Sequence, residues 1–398
     1  RSLNRSCVGC HRTGEIGPFA LETYREAKVW AGPIKDYTAR KLMPPWKPVP
    51  GHGDFYDANV LTDTERSALA AWAEAGAPEG DPKDLPPPPK FPSTDAWTLG
   101  TPDMIVQPVR DYHLEAEGRD VYRNFVLPVD FKEDRYLSGM EFKPGNRAIV
   151  HHIVVFFDTS GKSAEMDGKD KEPGYTVPGT GIGVGALWGD VWVPGSMPRR
   201  LPPGVGIKIP AGAKIVMQVH YHKTGKPETD RSRMALYFAP QKPDEVIHVV
   251  SDGTFFFNLK PGDAHQTLHG VFPSGQSRLP VDVKLWSIFP HMHMLGKEMK
   301  VTATLPDGTV KPLIWINDWD FNWQATYFYK EPIFLPKGTL IEMTAVYDNS
   351  DTNPRQTSHP PKTVRFGEQT TDEMCFVFLG FTGDMRKIPD AGGGIDAP

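Results

Sequence analysis

The segment Ala148-Ile-Val-His-His-Ile-Val-Val-Phe-Phe157 decides the fold of most of this chain. It is a short apolar run rich in β-branched and aromatic residues, which is typical of a buried β-strand. Similar runs, each bounded by turn residues, recur at Lys214–Tyr221, Val281–Phe289 and Leu340–Tyr347. Beyond about Thr101 the sequence therefore predicts two tandem all-β sandwiches of jelly-roll type.

The N-terminal part has a different pattern. Residues 19–42 predict a helix that prolines then end, and Thr62 with Glu65 has the capping-box spacing that begins a second helix. A Pro-rich run that starts at Asp84 is typical of an extended spacer. We therefore expect a small all-α domain at the N-terminus, joined by a linker to the β-rich remainder.

The predicted organisation has five parts. They are an all-α domain over 1–83, a Pro-rich linker over 84–100, sandwiches over 101–257 and 258–386, and a flexible tail over 387–398.

Charge and hydropathy argue against two classes of partner, nucleic acid and membranes. The chain has 44 basic and 49 acidic side chains, interspersed along 398 residues. Such a balance, without a basic run, does not favour nucleic acid or an anionic membrane surface. No apolar run approaches the roughly 20 residues that cross a bilayer, so we predict no membrane span.

A heme-attachment motif, Cys7-Val-Gly-Cys10-His11, lies near the start of the chain. In Cys-x-x-Cys-His, two thiols form thioethers to the heme while the histidine binds the iron. The opposite axial position requires a thioether or an imidazole, and Met43 on a Pro-rich turn is the preferred candidate. His52 is the alternative.

Residues 1 to about 80 resemble small bacterial cytochrome c domains. The shared features are the early heme motif, the turn Met43-Pro-Pro-Trp46, then Leu-Thr-x-x-Glu and a Trp-bearing last helix. The resemblance implies heme c with Met43 as the axial ligand. It also implies a periplasmic or otherwise exported protein, because heme is attached to this family outside the cytoplasm.

Three β-like segments carry closely spaced histidines. Residues i and i+2 of a strand share a face, so His291 and His293 can bind one metal, and His220 and His222 have the same spacing. The adjacent pair His151-His152 can reach one metal only across a bulge or through different ring nitrogens. Three such segments in one β region predict metal binding.

Residues from about 101 to 385 resemble the copper type II monooxygenases, which include peptidylglycine α-hydroxylating monooxygenase and dopamine β-hydroxylase. The resemblance rests on the order His-His, His-Tyr, His-x-His and then Asp372-Glu-Met-Cys375. It implies an electron-storage copper and a copper that binds dioxygen. The storage copper would be held by His151, His152 and His220. The dioxygen-binding copper would be held by His291, His293 and Met374. The family pattern uses His220, whereas strand geometry alone makes His222 an equal candidate.

The function implied is a monooxygenase that hydroxylates a C–H bond of a small molecule with dioxygen. Its electrons would come from an external donor, either a small reductant or a redox protein, and pass through the attached heme. The alternative is a non-catalytic heme and copper protein that only transfers electrons or binds copper.

Peptide-amidating members of the family grip a substrate carboxylate with an arginine, an asparagine and a tyrosine at fixed offsets from the metal ligands. Those offsets fall here on Phe289, Phe376 and Phe378. Three apolar rings predict a pocket for an uncharged apolar substrate. The alternative is that these rings are ordinary residues of the strand core.

Overall fold

The computed structural model describes residues 1–15, 17–91, 96–177, 182–273 and 278–388. The chain forms two compact units. The first consists of Arg1–Lys47 with Asp57–Gly100, and the second of Pro48–Tyr56 with the chain from Thr101 onward. In the described ranges, no helix is long and apolar enough to cross a membrane.

The described part of the first unit contains four α-helices and one 3-10 turn. These are α1 (Ser2–Ser6), α2 (Tyr24–Val29), α3 (Ala31–Ala39), α4 (Asp63–Glu74) and the turn Pro82–Asp84. Helix α4 begins with the expected capping box, in which Thr62 and Glu65 satisfy each other's backbone N–H groups. A small apolar cluster forms the core: Val8, Leu21, Ala27, Ile34, Leu61 and Leu69.

The prediction of an all-α domain over residues 1–83 was wrong. The described helices of this stretch are only 5, 6, 9 and 12 residues long, and turns and irregular backbone join them. The helix expected over 19–42 begins at Tyr24 and is interrupted at Trp30. Proline cannot donate a backbone hydrogen bond, so four of them keep the chain after α3 from continuing as helix. These are Pro44, Pro45, Pro48 and Pro50.

The segment predicted as a Pro-rich linker lies largely within the first unit, which extends to Gly100. Phe91 packs against the apolar cluster of this unit, and the Arg12 guanidinium lies 4.0 Å from the centre of its ring. Most of the predicted tail, residues 389–398, lies outside the described residues.

A short strap, Pro48–Tyr56, belongs to the second unit although its neighbours in sequence belong to the first. Its backbone bonds to strand residues of that unit: Val49 N–H donates to the Trp315 carbonyl, and Tyr56 N–H to the Phe328 carbonyl. His52, in the middle of the strap, lies against the ring of Trp315 with centroids 4.9 Å apart.

The first sandwich of the second unit has two main sheets, ordered β1-β11-β4-β8-β12 (with β7 on β4) and β3-β9-β5-β6, and a β2-β10 ribbon. Its elements are β1 (Met104–Val106), β2 (Tyr112–Leu114), β3 (Val121–Val126), β4 (Arg135–Lys143), β5 (Val150–Asp158), α5 (Lys162–Asp167), β6 (Leu187–Trp192), β7 (Arg199–Arg200), β8 (Val205–Ile209), β9 (Lys214–Tyr221), β10 (Glu228–Asp230), β11 (Arg233–Phe238) and β12 (Glu245–Val246). Apolar side chains from both sheets form one buried core, which includes Leu137, Ile153 and Met217.

The second sandwich has the sheets β13-β22-β16-β19 and β15-β20-β17-β18, and a β14-β21 ribbon. Its elements are β13 (His248–Gly253), β14 (Asn258–Leu259), β15 (Gln266–Phe272), β16 (Val283–Met292), β17 (Gly296–Thr304), β18 (Val310–Ile316), β19 (Tyr327–Leu335), β20 (Leu340–Tyr347), β21 (Val364–Arg365), β22 (Cys375–Gly383) and the 3-10 turn Met385–Lys387. Rings of Phe272 and Phe381 stack between the sheets at 5.7 Å.

The two β-sandwiches of the sequence prediction fit this architecture. Because β13 pairs with β22, the second sandwich begins at His248, upstream of the boundary expected at residue 258.

Candidate metal centres and their cleft

A β-bulge brings two adjacent histidines to one side of the first sandwich. Where β5 pairs with β9, Val150 faces Tyr221 and His152 faces His220, so His151 is the extra residue of the bulge. A bulge re-aims a side chain that regular alternation would send to the other face of the sheet. Both imidazoles of the pair therefore reach the same point as His220.

The three imidazoles point their Nδ1 atoms at one another. Nδ1 of His152 lies 3.1 Å from Nδ1 of His151 and 3.4 Å from Nδ1 of His220. Metal–imidazole bonds of about 2 Å in tetrahedral geometry separate the bound nitrogens by roughly 3.3 Å. The donor set and its spacing therefore fit a single metal ion, held through Nδ1 of each ring.

Asp120 and His222 lie beside this cluster. Nε2 of His220 donates to Oδ2 of Asp120 at 3.0 Å, which leaves its Nδ1 free to bind a metal. His222 has a 67% exposed side chain, and its Nδ1 lies 3.3 Å from Oδ1 of Asp120. The structure thus places His222 on the carboxylate and not among the three converging nitrogens.

A second cluster lies at the end of β16 in the second sandwich. The rings of His291 and His293 are nearly perpendicular, with centroids 5.2 Å apart. Nδ1 of His291 lies 2.7 Å from the carboxamide oxygen of Gln324, and Nδ1 of His293 lies 3.1 Å from the carbonyl oxygen of Asp372. Because both Nδ1 atoms donate to oxygen, both Nε2 atoms are left as ligands.

Met374 lies at the end of the loop that contacts His293, and it lines the same cleft as His291 and His293. The buried carboxylate of Glu373 anchors this loop, since it accepts the backbone N–H groups of His293 and Leu295. Two imidazoles and a thioether form a softer donor set than three imidazoles, and such a set suits cuprous copper.

Burial keeps the imidazoles of both clusters neutral. Burial lowers the pKa of His151 to about 3, and the neighbouring His220 lowers it further. Burial also lowers the pKa of His291 to about 4, although the hydrogen bond with Gln324 acts in the opposite direction. Burial also holds the pKa of His152 and of His293 well below the ordinary value. A neutral imidazole is the form that binds a metal, so both clusters are ready to bind one at neutral pH.

A single apolar cleft joins the two clusters, and Phe321 lies between them. The ring of Phe321 stacks on His151 at 4.8 Å and meets His293 edge-on at 5.6 Å. The cleft encloses about 100 Å³. Residues of both sandwiches line it, among them Tyr122, Trp188, Gln218, Phe289, Asn322 and Phe378.

The three phenylalanines predicted as pocket residues all line this cleft. Phe289 of β16 pairs with Phe378 of β22, and their rings stack at 5.6 Å. Phe378 also lies 4.4 Å from Trp188 of the first sandwich, and Phe376 lies 6.2 Å from Phe378. The wall next to His291 is therefore aromatic and apolar.

Asp190 is an ionisable group near this wall. It lies on β6 and lines a small neighbouring cavity together with Phe289 and Phe378. Burial raises the pKa of its carboxyl to about 7, opposed by the N–H of Val191, which donates to it at 2.8 Å.

The heme-motif residues lie together in the first unit. Cys7 and Cys10 are half-buried free thiols, and burial raises the pKa of Cys7 to about 11. Nδ1 of His11 donates to the carbonyl of Phe19 at 3.2 Å, which leaves Nε2 as a ligand. A Cβ at Gly17 would lie 2.8 Å from Nδ1 of His11, so the loop requires glycine there. Met43 is partly buried.

Sequence patterns missed several residues of the cleft and of the two histidine clusters. Asp120 lies 100 positions from His220, and Gln324 lies 33 positions from His291, so no local spacing relates them. Phe321 lies in a loop without a distinctive pattern. Only Gln218, two residues before His220 and hence on the same face of β9, carried a signal that strand periodicity could have detected.

Comparison with known proteins bears on the metal. Residues 246–387 match the family model described as "Copper type II ascorbate-dependent monooxygenase, C-terminal domain". The human "DBH-like monooxygenase protein 1" is 22% identical over 275 residues, covering 64% of this chain and 43% of that protein. The Gallus gallus protein of the same name is 25% identical over 203 residues, covering 47% and 32%.

The chain thus spans less than half the length of the curated relatives it matches. A solved structure of PNGF-II overlaps 70% of this chain and 65% of its own chain at 10% identity, with a TM-score of 0.28. The sequence matches support the copper type II monooxygenase family. With it they support copper as the metal and oxidoreductase chemistry as the general class of reaction.

Proposed function

We propose that this protein is a copper-dependent monooxygenase that hydroxylates a C–H bond of a small apolar molecule. The observation that carries the proposal is the pairing of two different donor sets, three imidazoles and His-His-Met, on one apolar cleft. Copper bound at both sites would supply one-electron redox chemistry, and the His-His-Met site would supply dioxygen activation.

The reaction determines what the chain must provide. Inserting one oxygen atom of dioxygen into a C–H bond and releasing the other as water consumes two electrons and two protons. Two one-electron sites match that requirement. The aromatic wall of Phe289, Phe376 and Phe378 would hold the substrate by apolar burial, and would keep bulk water from the reacting atoms.

The proposal includes a source of electrons, a heme bound by the motif in the first unit. Cys7 and Cys10 would bond covalently to a heme and His11 would bind its iron through Nε2, with Met43 as the opposite ligand. A bound heme would supply a one-electron relay from an external donor. Support comes from the motif and from the orientation of His11. Heme attachment of this kind would take place outside the cytoplasm, and we therefore propose a periplasmic or otherwise exported protein.

The experiment is to load the full chain with copper and heme and to supply a reductant and dioxygen. Copper per heme is measured first, with two expected. Oxygen uptake is then compared with product mass across a panel of small molecules. Hydroxylated product in proportion to the oxygen consumed supports the enzyme. Redox cycling without product from any member of the panel would refute it, and would favour a non-catalytic electron-transfer protein.

A further inference from the structure

Asp120 bridges the two sandwiches. This residue directly precedes β3, and its side chain is only 12% exposed. Oδ2 accepts Nε2–H of His220 at 3.0 Å and the hydroxyl of Thr370 at 2.6 Å. His220 belongs to the first sandwich, whereas Thr370 lies between β21 and β22 of the second. One carboxylate oxygen therefore contacts a candidate metal ligand and a residue of the opposite sandwich.

Tyr122 makes a parallel contact two residues further along. Its ring stacks on the ring of His220, with centroids 4.1 Å apart and planes 12° apart. Its hydroxyl donates to the carbonyl oxygen of Glu368 at 2.6 Å. Residues i and i+2 of a strand share a face, which explains why Asp120 and Tyr122 reach the same loop. Residues 368–374, here called the tether loop, are thus held at two points.

The other end of the tether loop forms part of the second cluster. The carbonyl of Asp372 accepts Nδ1–H of His293 at 3.1 Å, and Met374 lines the cleft. Within the loop, Oδ2 of Asp372 accepts the N–H of Gln369 at 3.2 Å. A short run of backbone therefore connects the carboxylate that orients His220 to the groups that orient His293 and Met374.

We propose that Asp120 is a positioning residue that couples the two metal sites. It fixes the ring orientation of His220 and, through Thr370, holds the tether loop against the first sandwich. The separation and the relative orientation of the two sites then depend on this contact. The inference rests on the proposed function, because the coupling matters only if electrons pass between the sites.

The contacts favour coupling over simple packing. A hydroxyl–carboxylate hydrogen bond at 2.6 Å is charge-assisted and strong compared with neutral ones. The same oxygen atom of Asp120 accepts hydrogen bonds from both His220 and Thr370, so a shift of the tether loop would also change the contact with His220.

Thr370→Val tests this coupling, because it removes the hydroxyl at nearly constant volume and leaves the bond between Asp120 and His220 intact. Amide hydrogen exchange of residues 368–374 in the full, metal-free chain should become roughly tenfold faster or more, as expected for loss of a charge-assisted bond. Tyr122→Phe, which keeps the stacked ring, should act in the same direction. Thr371→Val, an exposed neighbour in the same loop, is the matched control and should leave exchange unchanged.

With copper bound, Thr370→Val should keep the copper content of the wild type but broaden the distance distribution between the two cupric ions in pulsed dipolar EPR. In turnover, kcat should fall with KM unchanged. Asp120→Asn should in addition weaken copper binding at the three-histidine site by about 10- to 100-fold.

Exchange and copper–copper distances that match the wild type in both Thr370→Val and Tyr122→Phe would overturn the coupling. Failure of the proposed function has a different signature, since the wild type would then give no product while the exchange difference remained. Normal wild-type turnover with an unaltered kcat in Thr370→Val would refute only the coupling.

Discussion

The carboxamide oxygen of Gln324 lies 2.7 Å from Nδ1 of His291. Gln324 is itself fixed, because its Nε2 donates to the carbonyl of Phe321 at 3.0 Å and its side chain is buried. The side-chain amide of Gln324, from a loop distant in sequence, therefore orients the ring of His291. The Nε2 atom of His291 points away from this amide.

Gln324→Leu should disorient His291 without opening a large cavity. We expect copper affinity at the His-His-Met site to fall by about 10- to 100-fold, the effect usual for loss of a hydrogen-bond partner of a ligand histidine. Copper titration of the metal-free protein measures it. Unchanged affinity at both sites would show that Gln324 only packs. Asn322→Leu, at a cleft residue in the same loop, serves as the control.

Met374→Ala should remove the thioether while leaving the heme spectrum and most of the stability intact. Product formation should be lost, because the softer of the two donor sets no longer stabilises the cuprous state. The control is Met197→Ala at an exposed position in the first sandwich. Retained turnover in Met374→Ala would remove this residue from the site.

Asp190 makes the stability of the protein depend on pH. Its folded-state pKa of about 7 exceeds the ordinary value of 3.8, so the folded chain holds a proton that the unfolded chain releases between these values. Stability from this group is complete below about pH 4 and is lost as the pH rises through 7. One pKa unit corresponds to about 1.4 kcal/mol, which sets an upper limit of roughly 4 kcal/mol.

Asp190→Asn removes this titration. The free energy of unfolding, measured with urea, should match the wild type near pH 4 and exceed it at pH 8. Glu117→Gln makes the same change of charge at an exposed position. Its free energy of unfolding should stay within about 0.5 kcal/mol of the wild-type value at both pH 4 and pH 8. An Asp190→Asn protein that is no more stable than the wild type at pH 8 would contradict the raised pKa of the Asp190 carboxyl.

Met43→Ala tests the heme relay. The heme spectrum should lose its His/Met character, and turnover driven by a protein donor should slow. Turnover driven by a small reductant acting directly on copper should persist, because the copper ligands are untouched. His52→Ala should leave the heme spectrum unchanged, since His52 packs on Trp315. Equal loss with both donors would make the heme structural.

The aromatic wall predicts substrate choice. Neutral apolar or aromatic molecules should be hydroxylated in preference to C-terminal glycine peptides, because a carboxylate placed against these rings would lose its polar partners. Phe378→Ala should raise KM for an apolar substrate by roughly 10- to 100-fold, as expected for a lost ring contact of about 1.5 to 3 kcal/mol. Phe334→Ala, on an exposed part of β19, should not. A preference for the glycine peptides would refute the pocket.

Much of this molecule could be predicted from local sequence. Apolar runs such as Ala148–Phe157 predicted strands, because a short run rich in β-branched and aromatic residues is typical of a buried strand. The spacing of His291 and His293 predicted that their two imidazoles share a face, and the Thr62 capping box marked the start of α4. The all-α prediction failed because isolated helix signals do not show how much irregular backbone will join the helices.

By itself, then, the sequence determined the chemical inventory: the histidines, the thioether, the thiols of the heme motif and the strands that carry them. Only the tertiary structure decided which groups meet. A bulge brings the rings of His151 and His152 to one side of the sheet. The carboxylate of Asp120 contacts both His220 and His222, and the side chain of Gln324 contacts His291. The physical reason is that each meeting depends on pairing between segments far apart in sequence, and the energy of that pairing is not encoded in any local pattern.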